Sequence, residues 1–157
     1  MRVRHCARTL AWPRARRVAR AGQAKSNSTG LKDKHGMPEV RVCKKGDIAE
    51  GGTRLVKSGP VEIGVIFHNG AYYAYRNQCP HQGGPACEGL KMPQVVEKIG
   101  DKGIHLGQDF DESDMHIVCP WHGWEFHLKD GVHVIDKRQR LKKYSVVERG
   151  DEIYVTV

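Results

Sequence analysis

Two short cysteine- and histidine-containing boxes, far apart in the chain, constrain this sequence more than any other feature. The first box is Cys79-Pro80-His81-Gln82-Gly83-Gly84. The second box is Cys119-Pro120-Trp121-His122-Gly123-Trp124. Each box offers one thiolate and one imidazole, and both groups are ligands for transition metals. The chain must therefore fold so that two distant loops face each other, and the boxes predict a metal centre between them.

The spacing of the ligand residues within each box indicates which kind of metal centre the box suits. Side chains two residues apart leave the same face of an extended segment, about 6–7 Å apart, so Cys79 and His81 suit two neighbouring metal ions. Cys119 and His122 are three residues apart, which suits a tight turn. Structural zinc sites usually pair Cys with Cys and His with His. The mixed pairs therefore favour an iron–sulfur cluster, and a zinc module remains the alternative.

Other residues of the boxes are suited to holding a cluster. The glycines after each histidine allow the backbone to come close to a cluster and to donate amide hydrogen bonds to it. They are Gly83, Gly84 and Gly123. A proline follows each cysteine and stiffens the loop.

At this point the sequence resembles the Rieske family, and residues 119–126 resemble the second box of oxygenase-type Rieske ferredoxins. The resemblance covers residues 37–157 and implies one [2Fe–2S] cluster. It also implies that Cys79 and Cys119 bind the buried iron, and His81 and His122 the outer iron. Neutral imidazoles in place of two thiolates raise the potential of such clusters to about −150 to +300 mV, compared with about −400 mV in plant-type ferredoxins.

The resemblance also suggests where in that range the potential falls. High-potential respiratory Rieske proteins resemble one another in an extra cysteine in each box, joined as a disulfide, and in a hydroxyl beside the cluster. Here Trp121 stands at the second-box cysteine position and Trp124 at the hydroxyl position, while Cys87 has no evident partner. Hydrogen bonds to the cluster sulfurs stabilise the reduced cluster, so a cluster with fewer of them is harder to reduce. We therefore predict a potential at the low end of the range.

The rest of the chain predicts an all-β, Rieske-type domain of short antiparallel sheets with two cluster-binding loops, of sandwich or barrel-like form. The clearest hairpin pairs residues 61–67 with residues 71–75 across Asn69-Gly70, a type I′ turn signal. Further strands are predicted at 39–43, 53–56, 115–118, 125–128, 132–135, 144–147 and 153–157. Pro85, Gly89 and Pro93 argue against long regular structure after the first box.

One segment departs from the family pattern. The 37 residues between His81 and Cys119 form a longer gap than is usual. We assign the excess to an insertion around residues 91–113, within which residues 94–113 are expected to form a loop or a small hairpin.

The basic charge of the chain belongs to its first part. Residues 1–36 contain ten of the 26 Lys/Arg residues but only one of the 18 Asp/Glu residues. Residues 37–157 therefore contain 16 basic and 17 acidic residues. We predict a disordered basic extension or a start codon placed too early, with an organelle transit peptide as the lesser alternative. The near-neutral remainder predicts no nucleic-acid partner, and the absence of a long apolar run predicts no membrane span and a cytoplasmic protein.

Several chemically active residues lie outside the boxes. Cys43 is predicted to be a core residue and Cys87 an unligated thiol. The histidines at 68, 116, 127 and 133 alternate with apolar residues, so they are expected on strand faces without ligand partners at local spacing. The basic residues 137–143 predict a solvated face, with docking to an acidic partner as the functional alternative.

The resemblance implies a soluble one-electron carrier between a flavoprotein reductase and a terminal oxygenase. The alternatives are the small subunit of an assimilatory nitrite reductase, some of whose members lack the cluster ligands, and a non-redox zinc module. The 35 residues after His122 leave no room for a mononuclear iron domain. We therefore expect an electron-transfer component rather than a catalyst.

Overall fold

The computed structural model describes residues 38–157, which contain nine strands and two short 3₁₀ turns. The strands are β1 (Glu39–Lys44), β2 (Thr53–Ser58), β3 (Val61–His68), β4 (Ala71–Arg76), β5 (Lys91–Ile99), β6 (His105–Val118), β7 (Glu125–His127), β8 (Lys143–Arg149) and β9 (Glu152–Thr156). The 3₁₀ turns are Ala86–Glu88 and Asp101–Gly103. The predicted basic extension lies outside the described residues. Neither helical turn in this part of the chain has the length or apolarity to cross a membrane.

The strands form two antiparallel sheets, which confirms the all-β prediction. One sheet has six strands in the order β1-β9-β8-β4-β3-β2, and the other has three in the order β5-β6-β7. Two clusters of buried side chains form the core, and one of them contains both box cysteines together with Ile117 and Phe126. The boxes are therefore anchored in the apolar interior at the point where the two sheets meet.

The β3–β4 hairpin forms as predicted and delivers the chain to the first box. Asn69 and Gly70 have φ values of 48° and 76°, the positive values that a type I′ turn requires. Beyond β4, the Asn77 carboxamide accepts a hydrogen bond from the Cys87 amide at 2.9 Å and donates to Glu62 and Glu88. This side chain holds both ends of the first box in place.

The first strand departs from strict alternation. The pairing of β1 with β9 shifts register between Arg41 and Cys43. Because a bulge changes which side chains point inward, Val42 and Cys43 are both buried. Cys43 is a core residue, as predicted.

The segment after the first box is more regular than predicted. Residues 94–99 and 105–113 belong to two long strands, β5 of nine residues and β6 of fourteen, which pair as a hairpin. The hairpin alternative is therefore right, but the hairpin is larger than the small one predicted. Pro93 does not end β5. It lies at a register shift on the edge strand of the three-stranded sheet, where a residue without an N–H is tolerated.

The predicted strand at 132–135 is wrong. Val132 and His133 form only isolated bridges, with Arg140 and Phe126 respectively. Ile135 is 86% exposed, so the alternation of apolar residues in this segment does not correspond to a buried face.

A buried tyrosine links the two sheets. The Tyr75 hydroxyl donates a 2.6 Å hydrogen bond to the Leu128 carbonyl just beyond β7, and Tyr75 is fully buried. Tyr75→Phe is expected to lower the free energy of unfolding by about 1–3 kcal/mol, because the buried carbonyl loses its donor. Urea unfolding measures this, with Tyr72→Phe as the control, since Tyr72 is half-buried and packs on Phe67. Equal stability of the two variants would contradict the prediction.

Candidate metal centre

The two boxes close on themselves with the same backbone hydrogen bonds. The Cys79 amide donates to Gly84 O at 2.7 Å, and the Gly83 amide donates to Cys79 O at 2.8 Å. In the second box the Cys119 amide donates to Trp124 O at 2.8 Å, and the Gly123 amide donates to Cys119 O at 3.0 Å. The two loops are therefore near copies of each other, although the histidine is the third residue in one and the fourth in the other.

A glycine in the left-handed region occupies the fifth position of both loops. Gly83 has a φ of 77° and Gly123 a φ of 68°. Other residues rarely adopt this conformation, so glycine is required here for the backbone to turn. This role explains two of the three glycines that the sequence singled out.

The structure brings the four predicted ligand residues together in two pairs. Cys79 and Cys119 are each 2% exposed and lie in the same cluster of buried side chains. His81 and His122 are exposed, with their ring centroids 4.7 Å apart. The thiols therefore point inward and the imidazoles lie at the surface.

Burial controls the protonation of the inner pair. It raises the pKa of the Cys79 thiol above its ordinary value, and the neighbouring Cys119 thiol raises that pKa further. The backbone amides of His81 and Gln82 donate hydrogen bonds to the same sulfur and oppose this shift. Binding of a metal to Cys79 would therefore release a proton from a thiol whose anion is already hydrogen-bonded by the loop.

The third glycine is required by close packing. A Cβ on Gly84 would lie 2.9 Å from the Trp121 ring and 3.2 Å from Cys119 Sγ. A side chain at this position would fill the space beside the thiol pair. Gly84 therefore brings the first box against the second.

The outer pair is positioned by aromatic stacking. The Trp124 ring lies parallel to the His81 ring, with centroids 4.5 Å apart and an interplanar angle of 7°. The His133 ring packs on Trp124, also at 4.5 Å, and burial lowers its pKa. Trp121 is 57% exposed beside them. The two tryptophans therefore differ, since one orients an imidazole and the other forms part of the surface.

Cys87 is a free, fully buried thiol, as predicted. Burial raises its pKa to about 12, and its Sγ lies 3.6 Å from Tyr75 O. A thiol that stays protonated and enclosed is a poor metal ligand and nucleophile.

The model of the Rieske [2Fe-2S] domain family matches residues 39–145. The chain belongs to this family. A Rieske domain implies a [2Fe–2S] cluster, and the two matched boxes lie within the family region.

Curated relatives are distant. The apoptosis-inducing factor 3 of Homo sapiens is 25% identical over 118 residues, which are 74% of this chain and 16% of that protein. The ferredoxin component of the alkene monooxygenase system of Xanthobacter autotrophicus is 23% identical over 116 residues, 74% of this chain and 79% of that protein. This Rieske chain therefore spans about a sixth of the human relative and most of the bacterial one.

Solved structures share the fold. The ferredoxin of carbazole 1,9a-dioxygenase from Nocardioides aromaticivorans matches with a TM-score of 0.55 and 21% identity, over 75% of this chain and 96% of that one. A candidate NADH-dependent nitrite reductase small subunit from Mycobacterium tuberculosis matches with a TM-score of 0.57 and 18% identity, over 76% and 94%. The fold does not distinguish between these two kinds of protein.

Sequence reasoning missed a second cluster of potential ligands. Asp114, His116 and His127 lie together on β6 and β7. Part of the signal was present in the sequence, because Asp114 comes directly before the strand predicted at 115–118 and is two residues from His116. Their meeting with His127 depends on the register of the next strand, which no local spacing reveals.

Proposed function

We propose that this Rieske protein is a one-electron carrier whose cluster is held by Cys79, His81, Cys119 and His122. The observation that supports it best is the arrangement of the two boxes, which place two buried thiols in one core cluster and two exposed imidazoles side by side. Thiolates and imidazoles are the donor set of a Rieske centre, and the two boxes together offer two of each.

The surroundings of the four residues suit this role. When bound, the cluster would supply reversible one-electron chemistry. The apolar core around Cys79 and Cys119 excludes water from the inner side, while the exposed edges of His81 and His122 give a partner close access from the outer side. Gly84 leaves room beside Cys119 Sγ that any larger residue would occupy.

The test is reconstitution of the full chain followed by reduction. We expect a coloured protein with about two irons per chain, which after reduction shows the electron paramagnetic resonance signal of a mixed Cys/His cluster and then reduces one equivalent of an oxidised acceptor. A colourless protein with stoichiometric zinc would instead support the zinc module. A coloured protein that cannot be re-oxidised by an acceptor would exclude the carrier.

For partners, we propose a flavoprotein reductase as donor and a terminal oxygenase as acceptor. The alkene monooxygenase ferredoxin component, a relative covered over most of its length, supports this choice. A basic segment is joined to the rings that stack on His81. The His133 amide donates to Gln139 O at 2.9 Å, His133 packs against Trp124, and Trp124 stacks on His81. Residues 137–143 could therefore steer an acidic partner to the exposed histidines.

This docking proposal predicts a dependence on salt and charge. The double substitution Arg140→Glu and Lys142→Glu is expected to lower the second-order rate of electron transfer to an acidic partner by about tenfold at low ionic strength. The difference should shrink above roughly 0.5 M salt, where charges are screened within a few ångströms. Stopped-flow kinetics measure both. The same rate for variant and unmodified protein at low salt would rule out steering by this face.

The structure supports the prediction of a low potential. Cys87 is a free buried thiol, and Trp124 places an aromatic ring rather than a hydroxyl beside His81. We expect a midpoint potential between about −150 and 0 mV in a redox titration. Trp124→Ser, which adds a hydroxyl, should raise the potential more than Trp124→Phe, which keeps a ring. A potential well above 0 mV in the unmodified protein would contradict this prediction.

The alternative is the small subunit of an assimilatory nitrite reductase, since such a small subunit matches the fold as well as an oxygenase ferredoxin does. The four potential ligands favour the carrier. Co-purification from the native host decides between them: an oxygenase or its reductase supports the carrier, and a nitrite reductase large subunit supports the alternative.

A further inference from the structure

Asp114, His116 and His127 form a second cluster of potential metal ligands, which uses none of the four box residues. Asp114 and His116 are two residues apart on β6 and therefore project from one face of the strand. His127 on β7 pairs directly opposite His116 in the antiparallel register. The sheet thus places one carboxylate and two imidazoles on the same face.

The ligand atoms of these three residues converge on one point. One atom from each residue lies within 4.8 Å of the other two. Asp114 Oδ2 is 2.9 Å from His127 Nδ1 and 3.5 Å from His116 Nε2. Three ligands around one cation, each about 2.0–2.2 Å from it, need separations of about this size.

His116 provides an independent indication of a ligand. It is 1% exposed, and its Nε2 has no hydrogen-bond partner among the residues that the structure describes. Its other nitrogen, Nδ1, lies 3.1 Å from Glu125 Oε2. An ionised carboxylate only accepts hydrogen bonds, so Nδ1 donates to Glu125 and Nε2 is the nitrogen left to face Asp114 and His127.

This arrangement is the one that metal-binding histidines adopt. A ligating histidine usually donates its second N–H to a carboxylate, which fixes the tautomer and makes the free nitrogen more basic. Without a cation, the buried His116 Nε2 is a polar atom with no hydrogen-bond partner among the described residues, which is costly. Asp114 and His127 have side chains 30% and 20% exposed, so one side of the cluster is open to an entering ion.

We propose that Asp114, His116 and His127 bind a single divalent transition-metal cation of the zinc class, with Glu125 as the residue that positions His116. Two histidines and one carboxylate, with a fourth position open to water, are a known ligand set for zinc. Binding removes no cluster ligand, so the site and a Rieske cluster can be occupied in the same chain.

Lys137 opposes binding. Its Nζ lies 3.2 Å from His127 Nε2 and donates to it, so in the absence of a cation His127 Nδ1 carries the proton and donates to Asp114. A cation at Nδ1 requires that proton to move to Nε2 and the lysine to turn away. Lys137 is exposed and can do so, but its charge weakens the site.

The test is calorimetric titration of Zn²⁺ into the tag-free full chain with its iron–sulfur cluster in place. We expect one zinc per chain, with affinity reduced about 100-fold in Asp114→Asn and His127→Gln, and about 10–100-fold in Glu125→Gln. Lys137→Met should bind zinc more tightly. His105→Gln is the matched control, because His105 is an exposed histidine beside a carboxylate, Glu97, at 3.8 Å.

The visible spectrum and iron content, followed during the same titration, show whether zinc leaves the cluster intact. Asp114→Asn tests the site without disturbing the buried His116. A loss of zinc affinity in this variant would therefore not be explained by damage to the protein fold. Equal zinc affinity in the unmodified protein and Asp114→Asn, the absence of a zinc-binding step, or zinc uptake only with loss of iron would each overturn the proposal.

Discussion

Cys119→Ser is expected to leave the protein colourless and without iron. Cys119 is 2% exposed and lies in the same core cluster as Cys79, so its loss removes half of the soft donor pair inside the apolar core. A serine hydroxyl stays protonated in such surroundings and replaces a thiolate poorly. We expect iron to fall from about two atoms per chain to nearly none, measured by metal analysis and visible absorption.

The control for this experiment is Cys87→Ala. Cys87 is also fully buried and close to the first box, but its thiol lies against Tyr75 O rather than Cys79. Cys87→Ala should keep the iron and the visible spectrum, with a loss of stability of about 1 kcal/mol. If Cys119→Ser retained the same iron content and spectrum as Cys87→Ala, the proposed ligand set would be wrong.

Gly89→Ala is expected to separate the two boxes. A Cβ on Gly89 would lie 1.7 Å from the Val118 carbonyl oxygen and 3.0 Å from the Pro120 ring. Val118 directly precedes the second box, and Pro120 is part of it. Backbone atoms cannot swing aside as a side-chain end can, so one loop must move. Overpacking of this kind costs about 1–3 kcal/mol or more. We expect a lower melting temperature and a large loss of bound iron.

Gly100→Ala is the matched control for Gly89→Ala. Gly100 has nearly the same backbone conformation, with φ −85° and ψ −172°, compared with −76° and −178° for Gly89. The three atoms nearest to its Cβ would all belong to the side chain of Leu106, which is 65% exposed and free to move. Equal iron content and melting temperature in the two variants would show that the close approach of Gly89 is unimportant.

The parts of the fold that followed from the sequence are those set by neighbouring residues. The Asn69-Gly70 turn was predictable because type I′ turns need positive φ at both positions, and the adjacent alternation defines the strands on either side. The two boxes were predictable for a similar reason, since each is a local loop with its own proline and glycine.

The sequence-based predictions were wrong where the local structure depends on pairing with a distant strand. Pro93 is a strand breaker in isolation, yet it is accommodated because β5 is an edge strand at a register shift. Residues 132–135 alternate like a strand, but the chain there forms only isolated bridges. The cluster of Asp114, His116 and His127 was missed because it depends on the register between β6 and β7.

The sequence by itself determined which donor groups the proposed centre can use, because two thiols and two imidazoles in mixed pairs can be identified without coordinates. Only the tertiary structure decided how they are arranged. Anchoring in the apolar core turns the cysteines inward, stacking on Trp124 orients His81 at the surface, and Gly89 allows the second box to approach the first. Residue types set which bonds are possible, whereas burial and contacts between distant strands set which atoms meet.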